Sequence, residues 1–207
     1  MALPSVIRAI YFVTHPNVLV SRDVPVPEWP LSELGRVRMT RGLSQPWVRN
    51  VTSVYSSTER KAIDGAQILS QHLALASTQV SELGENDRSS TGFLPPSEFE
   101  AVADEFFAKP DISVRGWERA VDAQSRIVEA VERLIASDRT AGAIAFISHG
   151  AVGALLYCKL AGKAIDRRYD QPANGGGNFF RFSLAPPMVH SDWVAIDSPS
   201  HLTLPSS

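Results

Sequence analysis

Two histidines stand where a side chain can meet a ligand: His15, just beyond the run Val6 to Val13 (VIRAIYFV), and His149, just beyond Ala143 to Ser148 (AIAFIS). Both runs are apolar and rich in β-branched or aromatic residues. Each ends in sequence containing proline or glycine, the pattern of a buried strand running into a loop. In open α/β sheets ligands bind beyond the carboxyl ends of the strands, so the two imidazoles are expected on one sheet edge, within reach of one pocket. Two histidines can also be a metal pair, but no third ligand stands at ligand spacing and there is no His-x-x-x-His. No metal and no cofactor is expected.

The elements that must position these histidines are legible as alternating strands and helices. After the first loop, Leu34, Val37, Met39, Leu43 and Trp47 fall at helical spacing within Leu31 to Val48, with Ser32 as the candidate N-cap. A second strand, Val51 to Tyr55, leads into Ser56-Ser57-Thr58-Glu59, whose hydroxyls suit a helix start, and Lys61 to Leu75 reads as that helix. Ala123 to Ala136 has a strong helical period and precedes the strand that ends at His149. Ala151 to Leu160 then continues as an apolar helix, and Asn178 to Leu184 alternates as a strand beyond the turn at Gly175-Gly176-Gly177. This order predicts an α/β fold of three layers, a largely parallel central sheet with helices on both faces.

Asn86 to Pro96 (NDRSSTGFLPP) breaks the periodicity in the middle of the chain, and helical character resumes at Glu98 to Phe107. A long internal loop of this kind is usually functional, so residues 86–115 are expected to form a small cap or substrate loop. The Pro- and Ser-containing tail, Pro199 to Ser207, is expected to be loosely ordered.

With 207 residues, 44% of them hydrophobic, the chain is long enough to bury one sizeable core, and a single domain spanning 1–207 is the expectation. A formal charge of −2 provides no basic field for a nucleic-acid backbone or an anionic membrane, so an anion site must be built locally and a small-molecule partner is expected. The lone Cys158 excludes an intrachain disulfide and a zinc site built from cysteines. With no signal-peptide core or apolar span legible, a cytoplasmic location is expected.

The stretch Ile10-Tyr11-Phe12-Val13-Thr14-His15 is similar to the strand and Arg-His-Gly motif that opens the histidine phosphatases and phosphoglycerate mutases. Tyr55 to Ala62 resembles that family's second motif, a Ser-Ser pair followed by a basic residue and alanine. Ser148-His149-Gly150 resembles its second histidine motif, Leu83-Gly84-Glu85 its acidic segment, and Pro30 to Gly35 its common helix opening. Gly116-Trp117-Glu118 through Arg126 resembles the helix before the last core strand. The likeness runs in the family's order from about Ile10 to Leu160.

The resemblance implies a phosphoglycerate mutase-like fold and a phosphomonoester hydrolase acting on a small phosphorylated metabolite. His15 would be the nucleophile forming a phosphohistidine, Glu85 the general acid and His149 a protonated phosphate-binding partner. Lys61 and Gly150 would bind phosphate, with Thr14, Ser21, Arg22 and Arg60 as further phosphate-binding candidates. Four positions depart from the pattern. Thr14 replaces the motif arginine, Pro16 replaces the glycine, Lys61 stands where many members have a second arginine, and Ser21 falls where many place a phosphate-binding asparagine. A planar guanidinium fork is thereby exchanged for one hydroxyl, and a hydrogen bond to a charged group is worth about 1.5–3 kcal/mol. The alternative is therefore a weak or silent member that binds a phosphorylated ligand or a protein partner.

Overall fold

The computed structural model describes residues 8–199. The strands are β1 (Ile10–Thr14), β2 (Val51–Ser56), β3 (Ser77–Gln79), β4 (Ala143–Ser148), β5 (Asn178–Leu184), β6 (Pro187–Val189) and β7 (Val194–Ala195). The α-helices are α1 (Glu33–Gly42), α2 (Arg60–Leu73), α3 (Pro96–Ala108), α4 (Ala120–Ser137) and α5 (Gly150–Leu160). The sheet runs in the order β3-β2-β4-β1-β5-β6, with β7 also paired to β5. β3, β2, β4 and β1 are mutually parallel, while β5 turns back antiparallel to β1 and carries β6 and β7 antiparallel to itself. The architecture is the expected α/β one, with an antiparallel margin that the sequence did not indicate.

Period-two alternation sorts the strand side chains onto two faces. Ile10 and Phe12 of β1, with Ile144 and Phe146 of β4, join a core formed with α3, α4 and α5, including Phe106, Ile127, Val131 and Leu155. Tyr11 and Val13, with Ala145 and Ile147, face the other way against Met39 of α1 and Ala62, Ala66 and Leu69 of α2. The helices of 86–115 are not detached from this core. Val102, Phe106 and Phe107 of α3 are buried in it beside Trp117, whereas the loop before α3, apart from the buried Asn86 and the half-buried Leu94, stays at the surface.

α1 is shorter than its apolar spacing predicts. Ser32 caps it through Oγ, which accepts from the Gly35 N–H, but the helix ends at Gly42 and a tight turn leads to Val48. Trp47 belongs to that turn and stacks on Tyr11 with ring centroids 4.4 Å apart, so its apparent helical register is a packing contact. The expected hydroxyl cap of α2 is also corrected. Its N-cap is Glu59, no side chain caps it, and Ser57 is drawn toward His149 instead. β1 begins at Ile10; Val6 and Ile7 of the expected strand, and all but Pro199 of the tail, lie outside the described residues.

The loop after β1 is pinned by α1. The Asn17 carbonyl accepts from the Ser32 N–H and hydroxyl, and Gly35 lies so close that an added Cβ would stand 2.1 Å from that oxygen. We predict that Gly35→Ala lowers stability by about 1–3 kcal/mol through this forced separation. Urea unfolding checks it, and an unchanged midpoint would show that the loop yields freely.

Candidate active site

β1 and β4 pair in register, Thr14 opposite Ser148, so the chain leaves both strands at the same level. The His15 N–H donates to the Ser148 carbonyl at 3.0 Å, and the two imidazole centroids lie 5.2 Å apart, inclined by 68°. β2 flanks β4 on the other side, and the Ser57 N–H donates to the Ile147 carbonyl at 3.1 Å. Three strand ends thus deliver His15, His149 and Ser57 to one place.

His15 is half-buried and faces a cavity of about 490 Å³ that Glu85, Asn86, Arg88, Phe99, Gly150 and Asp170 help to line. Its Nδ1 is 2.9 Å from the Pro16 carbonyl, an obligate acceptor, which assigns the proton to Nδ1 and leaves a lone pair on Nε2. Burial and the nearby Lys61 ammonium lower its pKa to about 4, against the pull of the Pro16 bond and Glu59, so the ring is neutral at pH 7. His149 is fully buried, and its Nε2 meets Ser57 Oγ at 2.7 Å and Glu59 Oε1 at 3.3 Å. Burial drives its pKa well below the usual imidazole value despite Glu59. The protonated state expected for His149 therefore does not belong to the ligand-free site.

Glu85 is held from three directions. Its Oε1 accepts from the Val152 N–H at 3.1 Å and its Oε2 from the Ala151 N–H at 3.3 Å, so the carboxylate sits on the N-terminus of α5, where the helix dipole favours negative charge. The Arg126 guanidinium, paired with Glu118, donates to the Glu82, Gly84 and Glu85 carbonyls and fixes the loop. Ser148 Oγ adds a bond to the Leu83 carbonyl at 2.7 Å. Burial raises the Glu85 pKa, Arg88 opposes it, Glu59 adds to it, and the helix N–H groups oppose it, the net shift being upward. Asp170, which the sequence reading did not single out, lines the same cavity and is pushed up to about 6, chiefly by burial.

The phosphate-binding candidates divide. Lys61 points inward, 2% exposed, donating to the Val26 carbonyl at 2.9 Å and pairing with Glu59. Gly150 opens α5 at the cavity wall. Arg60 is turned outward and pairs with Asp64 at 2.9 Å. Arg22 is exposed with its guanidinium 5.3 Å from the Phe93 ring centroid, and Ser21 Oγ accepts from the Asp23 N–H; neither lines the cavity with His15. Thr14 is fully buried below the site, its hydroxyl donating to Gln171 Oε1 at 2.6 Å and accepting from the Asn178 N–H at 2.9 Å. Arg88, set over the Phe99 ring at 4.9 Å, supplies a guanidinium to the cavity.

A sequence profile of the histidine phosphatase superfamily (branch 1) matches residues 10–182, and the chain belongs to that superfamily. Solved structures share its fold. Mycobacterial glucosyl-3-phosphoglycerate phosphatase in complex with inorganic phosphate superposes with a TM-score of 0.75 at 19% identity, covering 93% of this chain and 100% of that one. Bacillus stearothermophilus YhfR gives 0.75 at 20% identity, covering 92% and 100%. Phosphoserine phosphatase from Entamoeba histolytica, in complex with 3-phosphoglyceric acid, gives 0.71 at 14%, covering 91% and 98%. No curated protein sequence matches the chain.

Thr14 closes the floor of the site by serving two buried partners at once. We predict that Thr14→Val, which removes the acceptor of the Asn178 N–H and the donor to Gln171, costs about 2–3 kcal/mol. Chemical denaturation measures it, and a loss below about 0.5 kcal/mol would mean that the two partners re-pair with each other.

Proposed function

We propose that the chain is a phosphomonoester hydrolase working through a phosphohistidine on His15. The observation that carries this reading is the Nδ1–H bond to the Pro16 carbonyl, which aims an unprotonated Nε2 at a cavity that Glu85 shares. In the first step the Nε2 lone pair forms the N–P bond while the bond from phosphorus to the ester oxygen breaks. Glu85, its pKa raised, gives its proton to the departing alcohol oxygen. In the second step Glu85, now ionised, accepts a proton from water as the water oxygen attacks phosphorus. The N–P bond breaks, and inorganic phosphate and neutral His15 are regenerated.

Arg88 lines the cavity with His15, and Lys61 and the His149 N–H, both held by Glu59 in the ligand-free site, are the further donors proposed for the equatorial oxygens in flight. An arriving phosphate also supplies the negative charge that favours a protonated His149, and so lifts its pKa back toward the usual range. The cavity beside His15 has room for a small phosphorylated metabolite, and the loop 86–95, which adds Asn86, Arg88 and Phe93 to its surroundings, is the proposed source of substrate selection. The second reading is a binding protein with little or no turnover. It is favoured by the engagement of Thr14 with Gln171 and Asn178, which leaves the motif arginine without a replacement at its own position.

The test is steady-state hydrolysis of an aryl phosphate and a panel of metabolite phosphates, without added metal, by wild type and His15→Ala. Turnover in the wild type, absent from His15→Ala, is expected, together with an acid-labile phosphoenzyme in rapid quench. No turnover of any ester by folded wild-type protein would favour the binding reading. A second prediction concerns pH. kcat/KM should rise as His15 loses its proton near pH 4 and fall as Glu85 ionises above the ordinary carboxylate range, which gives an acidic optimum. Glu85→Gln should cost about 10²–10⁴-fold for alkyl phosphates, less for a good leaving group, and abolish the alkaline fall. An unchanged profile would remove Glu85 from proton transfer.

A further inference from the structure

Glu59, set against His149 and Lys61, is a charged group that the proposed chemistry leaves without a task. Its carboxylate is surrounded by donors. Oε1 accepts from the Glu85 N–H at 2.8 Å and lies 3.3 Å from His149 Nε2, and Oε2 pairs with the Lys61 ammonium. Burial alone would raise its pKa, but the His149 ring, the Lys61 ammonium and the Glu85 N–H outweigh it and hold it at about 2, so it is an anion at any working pH. Two of these donors, Lys61 and His149, are groups on which a bound phosphoryl oxygen would have to rely. Both are sealed from solvent, at 2% and 0% exposure, with Glu59 against them. A further buried donor, Asn86 Nδ2, which with Glu59 and Glu85 lines an adjoining cavity, has no hydrogen-bond partner among the described residues.

From this geometry we infer that the Glu59 carboxylate is the resident anion of the phosphoryl seat, and that a phosphoryl group binds by displacing it from Lys61 and His149. The inference rests on the reading that the site receives a phosphoryl group, though not on turnover. Two anions cannot share one ammonium and one imidazole at hydrogen-bond distance without repulsion in a medium that screens poorly. The incoming group must therefore release Glu59 before it gains its own bonds. Glu59 then determines specificity: it weakens the hold on a bare oxyanion, including the product, and leaves affinity to be made up by contacts of the rest of the substrate with the 86–95 loop. It also keeps buried Lys61 paired while the seat holds no substrate, since an unpaired buried ammonium is strongly unfavourable.

The test is the affinity of inorganic phosphate and orthovanadate for wild type, Glu59→Gln and Glu59→Asp, measured by calorimetry at fixed pH and ionic strength. Glu59→Gln removes the charge and keeps the shape, and should tighten binding about tenfold or more. Glu59→Asp keeps a carboxylate beside Lys61 and should stay within about threefold of wild type, because the competing charge remains. Weaker or unchanged binding by folded Glu59→Gln, or no binding by any of the three, would overturn the inference. Should the glutamine variant fail to fold, the wild type decides: in a vanadate complex the Glu59 carboxylate must have left His149 and Lys61, and an oxyanion seated with both contacts intact would overturn it. Oxyanion binding tightened by Glu59→Gln, in a protein that hydrolyses no ester, would remove the phosphatase reading and leave this one standing.

Discussion

The parallel pairing of β1 with β4 is the constraint from which the site follows. Were the register shifted by one residue, every side chain of one strand would change face, and Phe12 would trade places with Val13, or Phe146 with Ile147. Apolar residues on both faces of both strands make the strands buried but do not by themselves fix that register. What fixes it is the packing on each face. Phe12 and Phe146 lie toward α4 and α5, while Val13, Ala145 and Ile147 lie toward α1 and α2, where a Cβ added at Gly65 would stand 3.3 Å from Ile147 and where Tyr11 is met by Trp47 and Phe179. With the register set, the two histidines emerge side by side because each is the first residue after its strand. The imidazole pair is a consequence of core packing before it is a feature of chemistry.

Upon that frame the site is built with few cations and several acids. The resemblance read in the sequence would place an arginine just before His15. Here the position holds Thr14, and the volume below the site is taken up by Gln171, Asn174 and Asn178 in a net of neutral hydrogen bonds. Lys61 is balanced by Glu59, and Glu85 and Asp170 are kept from ionising freely by burial. Arg88, lying over the Phe99 ring, faces the same cavity and acts on Glu85 across it. Such a pocket does not attract anions by a strong net field. Its fixed dipoles are local ones: the α5 N-terminus holds the Glu85 carboxylate, and the groups delivered by the strand ends keep their positions without needing to reorganise when charge moves.

How much of this the sequence shows depends on the signal each residue carries. β4 and β5 are legible in the sequence, because their short runs are rich in β-branched or aromatic residues and bounded by glycine, which sets them apart from buried helix segments. β3 was not, since Ser77, Thr78 and Gln79 are three polar residues on an exposed edge and carry no apolar period. α1 was overextended because Leu43 and Trp47 fall at helical spacing for a different reason, their packing in the turn that closes over Tyr11 and Phe179. Among site residues, the histidines were legible because strand ends are. The alternative basic residues Arg60 and Lys61 could not be separated, because one position around a helix start turns a side chain from solvent to the interior, and only the packed helix says which.

Glu59 marks the deeper limit. In sequence it is an acidic residue beside two basic ones at a helix N-terminus, which reads as a solvated turn favoured by the helix dipole. Its burial follows from tertiary facts: Lys61, turned inward at the start of α2, reaches the Val26 carbonyl and pairs with Glu59, and the backbone at Glu85 comes close enough to donate its N–H to Glu59 Oε1. A carboxylate there satisfies a backbone donor, a buried ammonium and a buried imidazole at once, three groups that would each be costly unpaired in the ligand-free protein. Glu59 is therefore required by the same seat whose ligand it opposes. A site that must be complete both with and without its substrate needs an internal substitute for that substrate, and the arrangement around Lys61 and His149 supplies one from a neighbouring position in the chain.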